Sequence, residues 1–320
     1  MRSVAATGAV LLAVAGAGCA GGTSGSRPAS TTVTARPTTT TIPLGTRLCA
    51  GAVGEPISNA RVGDPALIEV SGVVASRRHD GVLWVHNDSG DSARVFAIDR
   101  GGRRLGEFTL TGIRATDWED IALLPNTSGG RDTLVVGDIG DFTSSRPSIS
   151  LVFIPEPDVP ADPTDPVAIT DARTVEYRYP DQPHEAETVL ADPRTGELII
   201  ITKEFTDVPQ VFVAARGGGT AEQPALLDHA GALDLGVGQL PTAGDVAPDG
   251  SAVLVRTYSD VFVFERGPHD TIPRALRGAP CKVPAPREPQ GEAIAVLADG
   301  SAYVTIGEGA GVPIWEVAIC

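Results

Sequence analysis

Short apolar segments separated by polar turns run through the chain after Gly45. Runs of four to eight residues rich in Val, Ile and Thr alternate with Gly, Pro and Asp, a pattern typical of β-strands joined by tight turns. No stretch of twelve or more residues has the 3.6-residue periodicity of an amphipathic helix. The pattern therefore predicts an all-β fold.

The strand pattern repeats in units of four strands. Each unit opens with a short apolar strand after a small or acidic residue, and a strongly apolar second strand, a third strand and a weaker fourth strand follow. The openings lie at residues 71–76, 119–125, 187–193, 244–250 and 292–300. Four strands in about 45–65 residues is the size of a propeller blade. We predict a β-propeller of five blades; a sixth, irregular blade within the long second unit is the alternative, and a β-sandwich is the rival architecture.

The last unit reaches the C-terminus without a fourth strand. Residues 46–70 precede the first unit and supply the missing length, so we expect a strand at residues 67–70 to complete the last blade. Closing the ring with strands from both ends of the chain removes an exposed sheet edge.

The first residues have the pattern of a bacterial export signal. Arg2 precedes an apolar run at residues 4–17, which ends in small residues before Cys19. This order is typical of a secretion signal, and a cysteine directly after it is typical of a lipobox. We expect residues 1–18 to be a signal peptide and Cys19 to carry a lipid. Gly16 stands where lipoboxes usually have Leu, so secretion without a lipid is the alternative.

The next segment predicts a flexible tether. Residues 19–45 are rich in Thr, Ser, Pro and Gly, with Arg27 and Arg36 as their only charges. Such a segment has almost nothing to bury, and its r.m.s. reach is about 25–30 Å. Residues 46–320 then form the propeller domain. We expect an extracytoplasmic protein that is either secreted or anchored to the outer face of the plasma membrane, touching the membrane only through the lipid.

The propeller domain is strongly acidic. All 40 Asp and Glu residues and all but three of the 25 Lys and Arg residues follow Gly45, which gives the domain a net charge of −18. Such a charge disfavours nucleic acid and anionic lipid surfaces, which attract basic patches. It suits cations, sugars or basic partners, and we expect a monomer that binds a small molecule or an envelope ligand.

Three cysteines lie in the domain, Cys49, Cys281 and Cys320. Outside the cytoplasm we expect two of them to form a disulfide, and three pairings are possible. A bridge between Cys49 and Cys320 would join the two ends of the ring, and the other two pairings stay open. The spacing shows no zinc pattern, because there is no CxxC motif and no histidine cluster.

Propeller topology predicts that many acidic residues meet at one face. The loop entering the first strand of a blade and the loop leaving its second strand lie on the same face, close to the channel axis. Asp117 and Glu185 lie in such loops. From these loops and strand beginnings we select as candidate metal ligands Asp88, Asp91, Glu119, Asp120, Asp138, Glu187, Asp245 and Glu292.

Calcium is the cofactor that this arrangement predicts. Crowded carboxylates repel one another, and a bound cation relieves the repulsion. Ca²⁺ takes six to eight oxygen ligands, which irregular loops such as residues 87–91 and 137–141 can supply. Neither loop is an EF-hand, because the spacing that ends in Glu is absent. The alternative is that these acids only cap turns and connect the blades.

Basic and aromatic residues share the acidic face. His86, Trp118, Lys203 and Arg256 are our candidate ligand-binding residues. Acidic, metal-bound and basic groups in one pocket suit a phosphate ester, and Trp118 would suit a stacked sugar. Packing between blades is the alternative for each residue. The sequence contains no Gly-x-Ser-x-Gly, P-loop or dinucleotide motif.

Four strings resemble secreted propeller proteins of high-GC Gram-positive bacteria, which often have lipobox signals: NDSGD (87–91), DWEDIA (117–122), GDIGD (137–141) and GEAIA (291–295). The resemblance covers most of residues 66–320 and implies a fold and a location, but no reaction. More distantly, the Glu-led inner strands resemble phytase-like propellers, in which acidic loops hold calcium at one face. The catalytic residues of phytases have no residue-by-residue match in this chain.

Three functions follow as hypotheses. The first is a cell-surface propeller whose acidic face binds a cation, expected to be calcium, and through it a ligand or partner. The second is a metal-dependent hydrolase, in particular a phytase-like phosphoesterase. The third is a structural interaction module of the cell envelope. The fold is common to all three and does not choose among them.

Overall fold

The computed structural model describes residues 41–215 and 217–320. The predicted signal peptide, the lipid-bearing Cys19 and most of the predicted tether lie outside the described residues. One compact unit spans Ile42–Cys320. Leu44 and Gly45, which the sequence assigned to the tether, are buried in a short helix, so the folded unit begins slightly earlier than residue 46.

The described residues form 22 strands and two short helices. In chain order the elements are α1 (Leu44–Cys49), β1 (Ile57–Arg61), β2 (Val70–Ala75), β3 (Val82–Asn87), β4 (Arg94–Asp99), β5 (Arg104–Leu110), β6 (Trp118–Leu124), β7 (Thr133–Asp138), β8 (Ile149–Pro155), β9 (Val167–Ile169), β10 (Arg173–Arg178), β11 (Ala186–Ala191), β12 (Leu198–Thr202), β13 (Gln210–Ala214), β14 (Ala225–Leu226), β15 (Asp228–Ala232), β16 (Pro241–Val246), β17 (Ala252–Thr257), β18 (Val261–Glu265), α2 (Ile272–Ala275), β19 (Cys281–Val283), β20 (Gly291–Val296), β21 (Ala302–Gly307) and β22 (Pro313–Ala318).

The strands form five sheets, which are the five blades of a propeller. From the axis outward, blade 1 is β2-β3-β4-β5-β9, blade 2 is β6-β7-β8-β10-β14, blade 3 is β11-β12-β13-β15, blade 4 is β16-β17-β18-β19 and blade 5 is β20-β21-β22-β1. The innermost strands β2, β6, β11, β16 and β20 contact their neighbours around the ring. The prediction of an all-β, five-bladed propeller is confirmed.

The ring is closed by strands from both ends of the chain, as predicted, but by a different segment. Strand β1 pairs antiparallel with β22, with Ile57 opposite Glu316 and Arg61 opposite Pro313. The expected strand at residues 67–70 is therefore wrong. Leu67 is fully buried and leads into β2, the innermost strand of blade 1, so this segment cannot also lie at the rim of blade 5.

Two short strands explain why the second and third units are long without forming a sixth blade. Strand β9 leaves the second unit and pairs in parallel with β5 on the rim of blade 1. Strand β14 leaves the third unit and pairs in parallel with β10 on the rim of blade 2. Both additions cover an outer sheet edge that would otherwise be open to pairing.

The core consists of apolar layers between adjacent blades. Within the described residues, five clusters of buried side chains occupy the five interfaces between neighbouring sheets. Because each sheet is covered on both faces, its central strands are buried along their whole length, as in β2, β3, β12 and β21. This explains the continuous apolar runs in the sequence. In a sheet that is covered on one face only, apolar and polar residues would alternate along each strand.

A disulfide ties the beginning of the folded unit to blade 4. Cys49 at the end of α1 is bonded to Cys281 in β19, with the two Cα atoms 5.6 Å apart. Cys320 is a free, exposed cysteine, so the pairing between Cys49 and Cys320 does not form. The ends of the chain still meet, because the Arg47 guanidinium donates to the carbonyls of Ile319 and Cys320. Neither helix of the described residues is long and apolar enough to cross a bilayer.

Candidate cation site

A bulge recurs at the start of every innermost strand. The pairing between first and second strands shifts by one residue at Val70/Gly72, Trp118/Ile121, Ala186/Thr188, Pro241/Ala243 and Gly291/Ala293. Bulges re-aim side chains and are common beside functional sites. The residues inside the five bulges, all of them buried, are Ser71, Glu119 with Asp120, Glu187, Thr242 and Glu292.

Five carboxylates meet at this end of the channel. Oxygens of Asp88, Asp117 and Glu119 all lie within 4.8 Å of one another, and so do oxygens of Glu119, Glu185 and Glu187. Glu119 belongs to both sets and connects them. We call these five residues the acidic cluster. A separation of up to 4.8 Å suits oxygens that share one ion at the 2.3–2.6 Å typical of Ca²⁺.

Spacing in the sequence places these acids together. In blade 2, Asp117 lies two residues before the bulged Glu119, and in blade 3 Glu185 lies two residues before the bulged Glu187. Alternate residues of an extended segment point to the same side, so each pair faces the axis together. The loop positions of Asp117 and Glu185 predicted this face for both residues, but neither was among the predicted ligands. The acid-x-Glu spacing is the signal that would have identified them.

The end of β7 and the loop that follows it position the cluster from one side. The carboxylate of Asp138 accepts hydrogen bonds from the backbone N–H groups of Thr116 (2.9 Å) and Asp117 (3.2 Å), which fixes the segment that carries Asp117. Gly140 lies so close that a Cβ atom there would be 2.1 Å from Glu119 Oε1 and 2.6 Å from Asp117 Oδ2. A larger residue at this position of the GDIGD string would therefore displace the carboxylates of Glu119 and Asp117.

Burial and mutual repulsion raise the pKa values of the cluster. Burial is the main cause for Glu119 and Glu187, whose pKa values lie well above the usual value, and neighbouring carboxylates add to it. Burial raises the pKa of Glu185 to about 7. The pKa values of Asp88 and Asp117 are raised for the same reasons. Without a bound cation, the protein therefore holds these groups in an environment that disfavours their charged forms.

Among the described residues, one basic side chain forms an ion pair with the cluster, and Arg146 acts on Asp117 from a longer distance. Lys203 lies at the end of β12, forms an ion pair with Glu187 Oε1, and donates to the Tyr258 hydroxyl at 2.6 Å. The second oxygen of Glu187, Oε2, is buried and has no hydrogen-bond partner. A buried carboxylate oxygen without a partner is unfavourable unless water or an ion completes its coordination.

Four of the predicted metal ligands have other partners. Asp120 accepts hydrogen bonds from the backbone N–H groups of Val189 in blade 3 and Gly244 in blade 4, at 3.0 and 3.1 Å. Asp245 bonds the backbone of Val296 in blade 5 in the same way, at 2.7 Å. Asp120 therefore connects blade 2 to blades 3 and 4, whereas Asp245 connects two neighbouring blades. We leave both outside the candidate site, and their metal binding stays a prediction.

Asp91 and Asp138 serve as loop anchors. The carboxylate of Asp91 accepts from Arg94 at 2.9 Å and from the Asn87 side chain at 2.8 Å, within its own turn. Asp138 also accepts from Arg146 at 2.8 Å, in addition to its bonds to the loop before β6. Glu292 is buried in the bulge of β20, beside the cluster but in neither set of mutually close oxygens.

Of the predicted ligand-binding residues, Lys203 lies at the cluster and the other three are enclosed. His86 is fully buried, its ring lies 5.6 Å from that of Trp118 in an edge-to-face contact, and burial lowers the pKa of His86 to about 4. Trp118 is packed between blades 1 and 2 and offers no face for a sugar. Arg256 is fully buried and forms an ion pair with Glu288.

Comparison with known protein families and with curated proteins finds no match. Among solved structures, the chain is similar to the PQQ-bound aldose sugar dehydrogenase of Streptomyces coelicolor, with 12% identity, a TM-score of 0.43, and coverage of 83% of this chain and 98% of that one. It is also similar to a gluconolactonase of Xanthomonas campestris, with 15% identity, a TM-score of 0.44, and coverage of 83% and 95%. Similarity at this level concerns the overall fold and says nothing about activity.

Proposed function

We propose that the protein is a cell-surface propeller that binds a divalent cation, calcium, in the acidic cluster and uses it to hold a ligand. The observation that carries the proposal is the set of three buried and two half-buried carboxylates with raised pKa values, in which Glu187 Oε2 has no partner. Such a group of acids is unfavourable when it is empty and becomes favourable when a cation neutralises it.

The donor atoms favour calcium over softer metals. Both sets of close oxygens consist of carboxylates alone, without His or Cys. Hard cations such as Ca²⁺ prefer oxygen ligands, whereas zinc and copper sites usually include nitrogen or sulfur. The ligands come from loops and bulges of three blades, and this irregular geometry suits the flexible coordination of Ca²⁺ better than the strict octahedron of Mg²⁺.

The proposed location rests on the sequence. The export signal at residues 1–18, Cys19 and the tether support a protein that is anchored outside the plasma membrane, or secreted. The disulfide between Cys49 and Cys281 supports an oxidising compartment.

The test is calcium binding by the mature protein after treatment with EDTA. We expect a calorimetric binding isotherm and a higher melting temperature in calcium. Calcium at 100 times its dissociation constant adds about 2.7 kcal/mol, which raises the melting temperature of a domain of this size by roughly 5 °C.

A substitution at the shared ligand makes the test specific. Because Glu119 is buried against other carboxylates, we expect Glu119→Gln to stabilise the protein in EDTA and to lose most of the calcium-dependent gain. A carboxylate that only supports the fold would destabilise in both buffers when it is replaced. The control is Glu222→Gln, which changes a fully exposed acid. If calcium produces no heat of binding and leaves the melting temperature unchanged, the proposal is wrong. The hypothesis of a structural interaction module then remains.

A metal-dependent phosphoesterase is the second candidate, because Lys203 and Tyr258 lie beside the cluster where they could contact an ester. The structure supports it less well, since Lys203 is already paired with Glu187 and Arg256 is enclosed. Calcium-dependent release of phosphate from a panel of phosphomonoesters, lost in Glu119→Gln, would favour the enzyme.

A further inference from the structure

We propose that the ligand held at the cation site is a neutral carbohydrate, whose hydroxyl groups coordinate the cation while its apolar face stacks on two exposed phenylalanines. The inference rests on the proposed function, since it needs the cation in the acidic cluster. It adds the chemical class of the ligand, which the cluster alone does not define.

An exposed aromatic pair stands beside the cluster. The rings of Phe142 and Phe205 are 5.7 Å apart in an edge-to-face contact, and the residues are 77% and 55% exposed. Phe142 directly follows Asp141, whose backbone N–H donates to Glu185. Phe205 lies 5.8 Å from the Nζ atom of Lys203, which is paired with Glu187. Both rings therefore flank the carboxylates on the side of blades 2 and 3.

The exposure of these rings is unusual within this protein. Phe96, Phe108, Phe212 and Phe264 are fully buried between blades. Single exposed apolar residues need no explanation, but two aromatic rings in contact over a polar site form a small apolar platform. Such a platform fits a ligand that has one apolar face and several polar groups, as a pyranose ring does.

Charge favours a neutral ligand. When a bound cation ionises all five carboxylates of the cluster, these and the ammonium of Lys203 carry a formal charge of −4, which the divalent cation reduces to −2. A phosphate or carboxylate ligand would bring further negative charge to this end of the channel and would be repelled. A vicinal diol can offer two oxygens to the cation without adding charge.

A groove beside Phe205 extends the platform. It lies between the loop at residues 204–209 and the loop at residues 233–240, and Val208 and Val237 expose apolar side chains there. Asp207 and Asp234 line the same groove and offer carboxylate oxygens to hydroxyl groups. This combination of apolar and acceptor groups suits a second sugar unit, so we expect oligosaccharides to bind more tightly than monosaccharides.

The experiment uses the calcium-loaded mature protein on an array of neutral, phosphorylated and uronic-acid oligosaccharides, in excess calcium and in EDTA. We expect binding to neutral oligosaccharides that is lost in EDTA. The strongest neutral oligosaccharide is then titrated by calorimetry into wild type and variants. We expect Phe205→Ala to weaken its binding by about tenfold or more, with calcium affinity unchanged and with binding retained in Phe205→Tyr.

The control is Leu226→Ala, which removes an exposed apolar side chain from β14 at the outer rim of blade 2. Calcium binding without any neutral sugar binding would overturn this inference and leave the proposed function intact. Preferential binding of phosphorylated sugars would also overturn it and favour the phosphoesterase. Absence of calcium binding would overturn both proposals.

Discussion

Glu292 offers a direct measure of how strongly the end of the channel that holds the acidic cluster disfavours negative charge. It lies in the bulge of β20 and is 6% exposed, and burial raises its pKa from 4.5 to about 7. The charges of Glu308 and Asp88 add to this effect, whereas Lys203 opposes it. We predict that Glu292→Gln stabilises the cation-free protein at alkaline pH and has little effect at acidic pH.

The sign follows from the two pKa values. The unfolded chain releases the Glu292 proton near pH 4.5, whereas the folded protein retains it until about pH 7, so the contribution of this group to stability is lost as the pH rises between these values. A difference of about 2.5 pKa units corresponds to roughly 3 kcal/mol when both states are fully ionised. Between about pH 5 and about pH 8, the free energy of unfolding of the variant should rise relative to wild type by about 2–3 kcal/mol.

The assay is urea unfolding of both proteins in EDTA, at closely spaced pH values. The comparison of variant and wild type is essential, because other groups titrate in the same range. Burial lowers the pKa of His86 to about 4, so His86 makes the folded protein more stable as the pH rises from about 4 to 6.5. This contribution is common to both proteins and cancels in the difference.

Glu55→Gln, which replaces an exposed acid, serves as the control for the substitution itself. If the difference between Glu292→Gln and wild type stays constant between about pH 5 and about pH 8, Glu292 is not in a charge-disfavouring environment. The conclusion that burial disfavours charged carboxylates at this end of the channel would then also be wrong.

Three further predictions concern the ring and the cluster. Asp120→Ala should destabilise by about 3 kcal/mol or more in urea unfolding, because three backbone N–H groups from three blades lose their acceptor. Cys49→Ala should lower the free energy of unfolding by roughly 5 kcal/mol, since the bridge closes a loop of 232 residues, whereas Cys320→Ala should have no effect. Gly140→Ala should weaken calcium binding in calorimetry, because its Cβ atom would displace Glu119. Gly54→Ala, whose Cβ atom would make only ordinary contacts, should bind calcium like wild type. Equal calcium affinities of the two variants would refute the assigned geometry.

The strand repeat was readable from the sequence because it is encoded locally. Each blade is covered on both faces, so its central strands appear as continuous apolar runs, and turns such as Asp249-Gly250 and Asp299-Gly300 separate the first and second strands. Gly250 and Gly300 have positive φ angles, as these turns require. The closing strand β1 was predicted at the wrong segment, because it pairs with β22, which lies more than 250 residues away in the chain.

The grouping of acids at one face also followed from topology, but their individual roles did not. Glu119 and Asp120 are neighbours in the sequence with the same chemistry. The bulge turns Glu119 toward the other carboxylates and Asp120 toward the backbone of blades 3 and 4. No local pattern distinguishes them, because the difference lies in which N–H groups the neighbouring blades present.

The sequence by itself predicted five blades, with six left open, and it indicated the strands that line the channel and the face on which negative charge collects. Each of these depends on short-range periodicity and on the alternation of loops. The tertiary structure alone decided which cysteine pairs with Cys49, that His86 and Trp118 are enclosed, and which carboxylate oxygens are left without hydrogen-bond donors. These features depend on distances between segments far apart in the chain, which are set only when the blades pack around a common axis.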